Sequence, residues 1–380
     1  MKQLKITAAS FLAEYWQKKP TIIRNAFDVT TDILDEHELA GLAMEEEIDS
    51  RIISFNENQW QNNCGPFEDF TPLCQGQWTL LVQGVENYLR DAQDLLDEFD
   101  FIPGWRRDDL MVSFSVAGAG VGPHLDQYDV FIIQGKGSRR WQVGLPGDYQ
   151  EISPHPKLRQ ITEFKPVLDE VLYPGDIVYI PPGHPHNGVA LEDCLNYSVG
   201  FRASTQTELL NSFCDFLMDN DYQGLRYTDP ELKTRSHSSE ISLEEIDKFR
   251  EQISAMLHSE QFSSWLGCHL SDAPKCLPEE PETDVSATEV LKWIEQGYAF
   301  EKCPGVHTLS YAITTDSEAL KAFINSDEYA YPVTDQEEVH LLLNSTVWRP
   351  KSKNNFKNSS QFIHNLSTLI NKGLWIVQSD

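Results

Sequence analysis

Between Asp109 and Arg202 the chain alternates apolar and polar positions in short runs broken by glycine and proline. DLMVSFSV, VGPHLDQYDVFIIQ, RRWQVGL, VLYPGDIVYIP, HNGVALE and LNYSVGFR each carry the period of two that places every second side chain on one face of a strand. Gly135-Lys136-Gly137-Ser138 reads as a hairpin turn between two of these runs. Many short antiparallel strands punctuated in this way predict a barrel or jelly roll. Ahead of the block, 7–19 and 34–47 read as helices, while 20–27 and 50–55 read as strands. Residues 56–77 are polar and loop-like, and 78–99 place apolar residues at helical spacing.

After Ser204 the period lengthens to that of amphipathic helices, at 207–220 and 243–266, with a polar loop at 222–240. Such helices, placed after a barrel that already closes its own core, predict a homodimer. A Pro- and acid-rich linker occupies 271–284. Beyond it, helices at 285–296 and 359–371 and strands near 306–313 and 374–378 predict a small α+β domain. The organisation expected is a β-rich domain at 1–204, a helical region at 205–275 and the α+β domain at 285–380.

Charge narrows the partners. Acidic residues outnumber basic ones 59 to 30, a net charge of −29. Such a field repels nucleic acid and attracts basic chains, although acidity also serves solubility alone. Residues 285–380 hold eight basic and eleven acidic residues, so direct DNA binding is not expected there either. Seven cysteines form no C-x-x-C, residues 1–19 lack a signal-peptide core, and no apolar run approaches the roughly 18 residues of a membrane span. A reduced, cytoplasmic setting without a membrane anchor is expected.

The chemistry concentrates in two stretches, GAGVGPHLDQYDV at 118–130 and LYPGDIVYIPPGHPHNG at 172–188. On one strand, His124 and Asp126 would point to the same face. A histidine from a later strand would complete a 2-His-1-carboxylate set, which suits Fe(II) and leaves coordination positions open. Gly175, Pro181, Gly183 and His186 fit G-x5-P-x-G-x2-H, and Gly118 with His124 fits the opening of the companion motif, G-x5-H-x-[HD], the paired signature of cupins. His184 lies two residues from His186, but the spacing selects His186. A second H-x-E, His258-Ser259-Glu260, falls in a helical run where positions two apart diverge. Arg139 and Arg140 stand side by side at a hairpin end, and alternation alone does not decide which of them points inward.

The run DDLMVSFSVAGAGVGPHLDQYDVFIIQGKGSRRWQVG, followed by PGDIVYIPPGHPHNG and LNYSVGFRA, resembles the bacterial JmjC-type, cupin-superfamily ribosomal oxygenases, among them those that hydroxylate an arginine at C3 in large-subunit ribosomal protein sixteen. YWQKKP and GLAMEEEIDSRIIS extend the resemblance outside the barrel, and the last hundred residues match in layout only. It implies a double-stranded β-helix of JmjC type, a helical dimerisation region and a winged-helix-like C-terminal domain. It further implies Fe(II), 2-oxoglutarate and O2 as cofactor and co-substrates, and a basic protein of the large ribosomal subunit as substrate. Carried over by position, the iron ligands are His124, Asp126 and His186. Arg139 is the partner of the 2-oxoglutarate carboxylate, with Ser115 and Asn196 in the same pocket. Asp129 is a further expectation, as guanidinium partner at the substrate mouth. The competing readings are a histidine- or lysine-directed oxygenase or demethylase, an isomerase on the same barrel, and an idle cupin scaffold, against which the intact triad counts.

Overall fold

The computed structural model describes residues 4–28, 32–273, 280–312, 319–350 and 360–378. They form two compact units, divided between Ala203 and Ser204.

The first unit opens with α1 (Ala8–Glu14), β1 (Thr21–Ile23), α2 (Glu36–Leu42), β2 (Ser50–Asn56), β3 (Gln59–Cys64), β4 (Gln77–Val82) and α3 (Arg90–Asp97). It continues with β5 (Arg107–Ser115), β6 (Asp129–Gln134), β7 (Arg139–Gly144), β8 (Glu151–His155), β9 (Leu158–Ile161), β10 (Pro166–Leu172), β11 (Ile177–Ile180), β12 (His186–Ala190) and β13 (Cys194–Phe201). Eight strands make a large sheet in the order β1-β11-β6-β13-β5-β4-β2-β3, and β10-β7-β12 make the smaller one. Every pairing in the two is antiparallel. Two such sheets are the walls of a double-stranded β-helix.

The outer face of the large sheet is covered by the N-terminal helices. Phe11, Phe99, Phe131, Tyr179 and Phe201 pack there in one aromatic cluster, with Phe11 and Tyr179 edge to face at 4.9 Å. Burying these rings away from water stabilises the unit. The sheet's inner face is left to line a cavity.

Several expectations fail in this unit, among them the hairpin turn at 135–138, since β6 and β7 lie in different sheets. Residues 56–77 contain β3, which is polar because it is the edge strand of its sheet. The helix expected over 78–99 is β4 followed by α3. Pairing of β4 with both β2 and β5 overrides the local helical spacing, as tertiary context commonly does.

The second unit contains α4 (Gln206–Asp219), α5 (Leu243–Leu257), α6 (Glu260–Leu270), α7 (Ala287–Gln296), β14 (Ala299–Lys302), β15 (Thr308–Ser310), β16 (Ala319–Ile324), β17 (Asp327–Pro332), α8 (Gln336–Asn344), β18 (Val347–Trp348), α9 (Ser360–Asn371) and β19 (Trp375–Gln378). The single helix expected over 243–266 is broken at His258. Ser259 starts a new helix by accepting the Phe262 amide at 3.3 Å. The α+β part exceeds the expectation, having two three-stranded sheets, β18-β14-β19 and β15-β16-β17. Part of the expected linker, 274–279, lies outside the described residues.

Candidate metal centre and cavity

The inner faces of the two sheets enclose a cavity of about 450 Å³. Its lining reads out the alternation of each strand: Arg51 and Ile53 of β2, Thr79 and Leu81 of β4, Met111 and Ser113 of β5, Val130 and Ile132 of β6, Arg139 and Trp141 of β7, Asn196 and Ser198 of β13. A volume of this size with a few converging polar groups is that of a small-molecule site.

His124 and Asp126 do not share a regular strand, contrary to expectation. They sit in the connection between β5 and β6, where His124 makes an isolated bridge to His186 at the start of β12. The two residues exchange backbone hydrogen bonds, each 3.0 Å, and the Gly183 amide donates to the Asp126 carbonyl at 2.7 Å. Gly122 has φ of +80°, and a Cβ there would lie 2.1 Å from Gln160 Nε2. With Pro123 lacking an amide proton, the ladder cannot continue and the chain turns the H-x-D into the cavity.

One ligand-capable atom from each of His124, Asp126 and His186 lies within 4.8 Å of the other two. His124 Nε2 is 3.7 Å and His186 Nε2 is 3.4 Å from Asp126 Oδ2. Each Nδ1 faces a backbone carbonyl, of Gly122 at 2.9 Å and of His184 at 3.0 Å. Those carbonyls keep the proton on Nδ1 and leave the Nε2 lone pairs aimed at the shared point, the outer-shell arrangement of metal-bound histidines. Burial alone would push the Asp126 carboxyl up, but the two imidazoles hold it well below the usual carboxylate range. Burial likewise pulls His124 down, and Asp126 more than offsets it. Two neutral nitrogens and an ionised oxygen on one side of a cavity fit a divalent ion of the Fe(II) type. Gly188 keeps this corner tight, because a Cβ there would meet the Trp141 ring at 2.7 Å.

Arg139 points into the cavity and is 5 % exposed, with its guanidinium 5.8 Å from the Trp141 ring centre. Its Nη2 donates to Ser115 Oγ, which is also 2.8 Å from Thr79 Oγ1, while its Nε has no partner. Among the described residues no carboxylate pairs with it. Arg140 points outward into a two-point pair with Asp169, 2.6 Å on each side. Ser115 is fully buried behind Arg139 and is not itself part of the cavity lining. Asn196 does line it, and its Nδ2 donates to Gln134 Oε1 at 2.8 Å. His184 is outside the lining, with its Nδ1 3.2 Å from the Pro182 carbonyl.

Asp129 corrects another expectation. It lies on the opposite face of β6, fully buried, taking hydrogen bonds from Tyr179 Oη at 2.5 Å, Gln17 Nε2 at 2.9 Å and Arg106 Nη2 at 3.2 Å. It is therefore closed to a substrate. Tyr128 does line the cavity, where burial pushes its phenol far above its ordinary range and keeps it neutral. Sequence reasoning missed Arg51, Thr79, Asp109, Lys157 and Arg159, all in the lining. The signal for Asp109 was present, since it alternates with Met111 and Ser113.

Comparison with known proteins agrees with this architecture. The JmjC domain family matches residues 94–209. The chain is 38% identical over 378 residues to the ribosomal protein uL16 3-hydroxylase of Escherichia coli K12, covering 99% of each. The X-ray structure of E. coli ycfD superposes with a TM-score of 0.90 at 38% identity over 99% of both chains. The structure of YcfD, a ribosomal oxygenase from the same organism, in complex with cobalt and 2-oxoglutarate, superposes with a TM-score of 0.88 at 36% identity, again over 99% of both.

Proposed function

The chain belongs to the JmjC-domain ribosomal oxygenases, and from that premise we propose that it hydroxylates an arginine side chain, at C3, in the uL16 protein of the large ribosomal subunit. It is a 2-oxoglutarate-dependent oxygenase. The observation that carries the reading is the meeting, in one cavity, of a convergent His124-Asp126-His186 set and a buried arginine without a carboxylate partner.

In this reading His124 and His186, through Nε2, and Asp126, through its carboxylate, hold Fe(II). The bound metal, with 2-oxoglutarate and dioxygen, supplies the oxidising power that places one oxygen atom in a C–H bond and leaves succinate and carbon dioxide. The protein's own residues bind and orient. Arg139 offers a planar fork to the distal carboxylate of 2-oxoglutarate, in the dry end of the cavity where a charge-assisted pair is strong. Ser115 and Thr79 fix the fork from behind. Asn196, held by Gln134, presents a polar edge to the same space. Asp109 and the neutral phenol of Tyr128 line the cavity beside the metal set and suit a guanidinium side chain entering from solvent. Val130, Ile132 and Trp141 keep water from the reacting carbon.

A homodimer belongs to the same proposal, with 205–275 as dimerisation region between a catalytic domain at 1–204 and a C-terminal domain at 285–380. Helix α5 has no buried residue in its own chain, and Leu243, Phe249 and Ile253 are 77%, 49% and 55% exposed. No helix among the described residues is long and apolar enough to cross a membrane. Cytoplasmic residence with the ribosome completes the reading.

The test is mass spectrometry of ribosomal proteins from cells with and without the gene. Loss of one oxygen from a single uL16 arginine is expected on deletion. A uL16 peptide should stimulate succinate formation, and its arginine-to-lysine version should not, because lysine lacks the fork. Preferred turnover of a lysine or histidine peptide would transfer the assignment to the lysine- or histidine-directed oxygenases.

A further inference from the structure

The chain carries about two acids for every base, yet the cavity is lined by four cations, Arg51, Arg139, Lys157 and Arg159. Elsewhere in the same unit bases sit in ion pairs: Arg24 with Asp176, Arg106 with Asp129, Arg107 with Asp97, Lys136 with Glu36 and Arg140 with Asp169. Among the described residues, none of the four in the cavity has a carboxylate within ion-pair distance. Arg139 is accounted for by the co-substrate, and the other three are not.

Their placement is built by the fold. Arg51 faces inward by the alternation of β2 and stands opposite Cys64 of β3. The β8–β9 turn brings Lys157 to the same point, with Asn62 Nδ2 donating to the Lys157 carbonyl at 2.8 Å and Lys157 Nζ 3.5 Å from Cys64 Sγ. Arg159 follows two residues on, and Leu158 between them packs on Ile53 and Leu81 of the same lining, which seats the hairpin so that both exposed bases stand at the rim of the cavity. Lys157 and Arg159 are exposed and Arg51 is half-buried, which puts them on the solvent side of the lining, whereas Arg139 is buried.

Three unpaired cations on the way to a buried fourth suit a small dianion. We infer that Arg51, Lys157 and Arg159 form a cationic entry that captures 2-oxoglutarate from solution and delivers it to Arg139. The inference rests on the co-substrate reading given above. A protein of charge −29 repels a dianion at long range, and a local cluster of the opposite sign in a low-dielectric cleft reverses that field where it matters. The same net charge favours a basic protein substrate at long range. A dianion bound first offsets part of the positive lining before a cationic side chain arrives, so the entry also favours co-substrate binding ahead of substrate.

The test is the association rate of 2-oxoglutarate with the Fe(II)-loaded enzyme under anaerobic conditions. Stopped-flow tryptophan fluorescence can follow it, Trp141 being in the cavity wall. The R51Q/K157Q/R159Q variant should bind roughly tenfold more slowly at low ionic strength, with its dissociation rate within about twofold of wild type. The gap should close as salt shortens the reach of the charges. The charge-conserving R51K/K157R/R159K variant should retain the wild-type rate. If the triple neutral variant fails to fold, K157Q and R159Q singly, both at exposed positions, should each show part of the slowing. A neutral variant with the wild-type association rate at low salt, or with its defect in dissociation, overturns the inference. R139M run alongside separates the two readings. Unimpaired binding to R139M overturns the co-substrate assignment, whereas lost binding to R139M with an unchanged entry variant overturns the entry alone.

Discussion

Replacing Arg139 by methionine keeps a long side chain and removes the charge. The arginine is 5 % exposed, held by Ser115, and without a carboxylate partner among the described residues. Removing it leaves the distal carboxylate of 2-oxoglutarate desolvated and unpaired, a loss of about 2–5 kcal/mol. At about 1.4 kcal/mol per decade this is roughly a 30- to 4,000-fold rise in Kd. Calorimetric titration of the Fe(II) protein without oxygen measures it directly. Thermal unfolding gives an independent check. At a co-substrate concentration a hundred times the wild-type Kd, binding stabilises the protein by about 2.7 kcal/mol, and a hundredfold weaker variant retains only about 0.4 kcal/mol. The ligand-free variant should be no less stable than wild type, because the change removes a buried charge that lacks a counter-ion. Arg140→Met, which breaks only the exposed pair with Asp169, should leave binding intact. Unchanged affinity in Arg139→Met, or a defect that follows Arg140 instead, refutes the reasoning.

Three further outcomes are expected. His186→Ala should lose both bound iron and 2-oxoglutarate turnover, while His184→Ala keeps most of each; metal analysis of the purified variants decides, and the reverse pattern would remove His186 from the ligand set. Phe249→Glu with Ile253→Glu should turn a dimer into a monomer in analytical ultracentrifugation without loss of helical circular dichroism, and a wild-type monomer at micromolar concentration would end the dimer proposal. Burial, helped by Glu328 and Asp327, pushes the Cys268 thiol up to about 11, so its alkylation should lag that of exposed Cys64 and Cys214 at neutral pH. Because the thiolate is the reacting form, its rate should climb about tenfold per pH unit below that value, and a plateau by pH 9 would contradict the burial argument.

The barrel and the three converging ligands were legible because each rests on a strict period or spacing. Alternation marked β5, β6, β7, β11, β12 and β13, and P-x-G-x2-H singled out His186 over His184. What alternation cannot supply is phase. Arg139 and Arg140 are equivalent until β7 pairs with β10 and β12, which sets Arg139 opposite Leu172 and Ala190 and turns it inward. The far wall of the cavity was illegible for another reason. Arg51 and Thr79 flank a polar edge strand and a segment with helical spacing, and only pairing across the sheet gives them their direction. Lys157 and Arg159 lie on a short hairpin whose place is fixed by Leu158 and Asn62, contacts distant in sequence.

Asp129 shows how the site is held from behind. Its nearness in sequence to His124 and Asp126 made it look like part of the mouth, yet it is buried on the other face of β6. There it joins Tyr179 of β11, Gln17 after α1 and Arg106 ahead of β5. A buried carboxylate with these three donors stabilises one arrangement of four separate segments, since losing any donor would leave a desolvated charge underpaired. Burial, with Asp129 beside it, pushes the Tyr179 phenol well above its ordinary range, so it stays protonated and keeps donating. Strand β6 is thereby pinned at the residue where the connection carrying His124 and Asp126 enters it. His124 and Asp126 lie outside regular strands, and the His124–His186 bridge together with this rear network supplies the rigidity that a strand would otherwise provide.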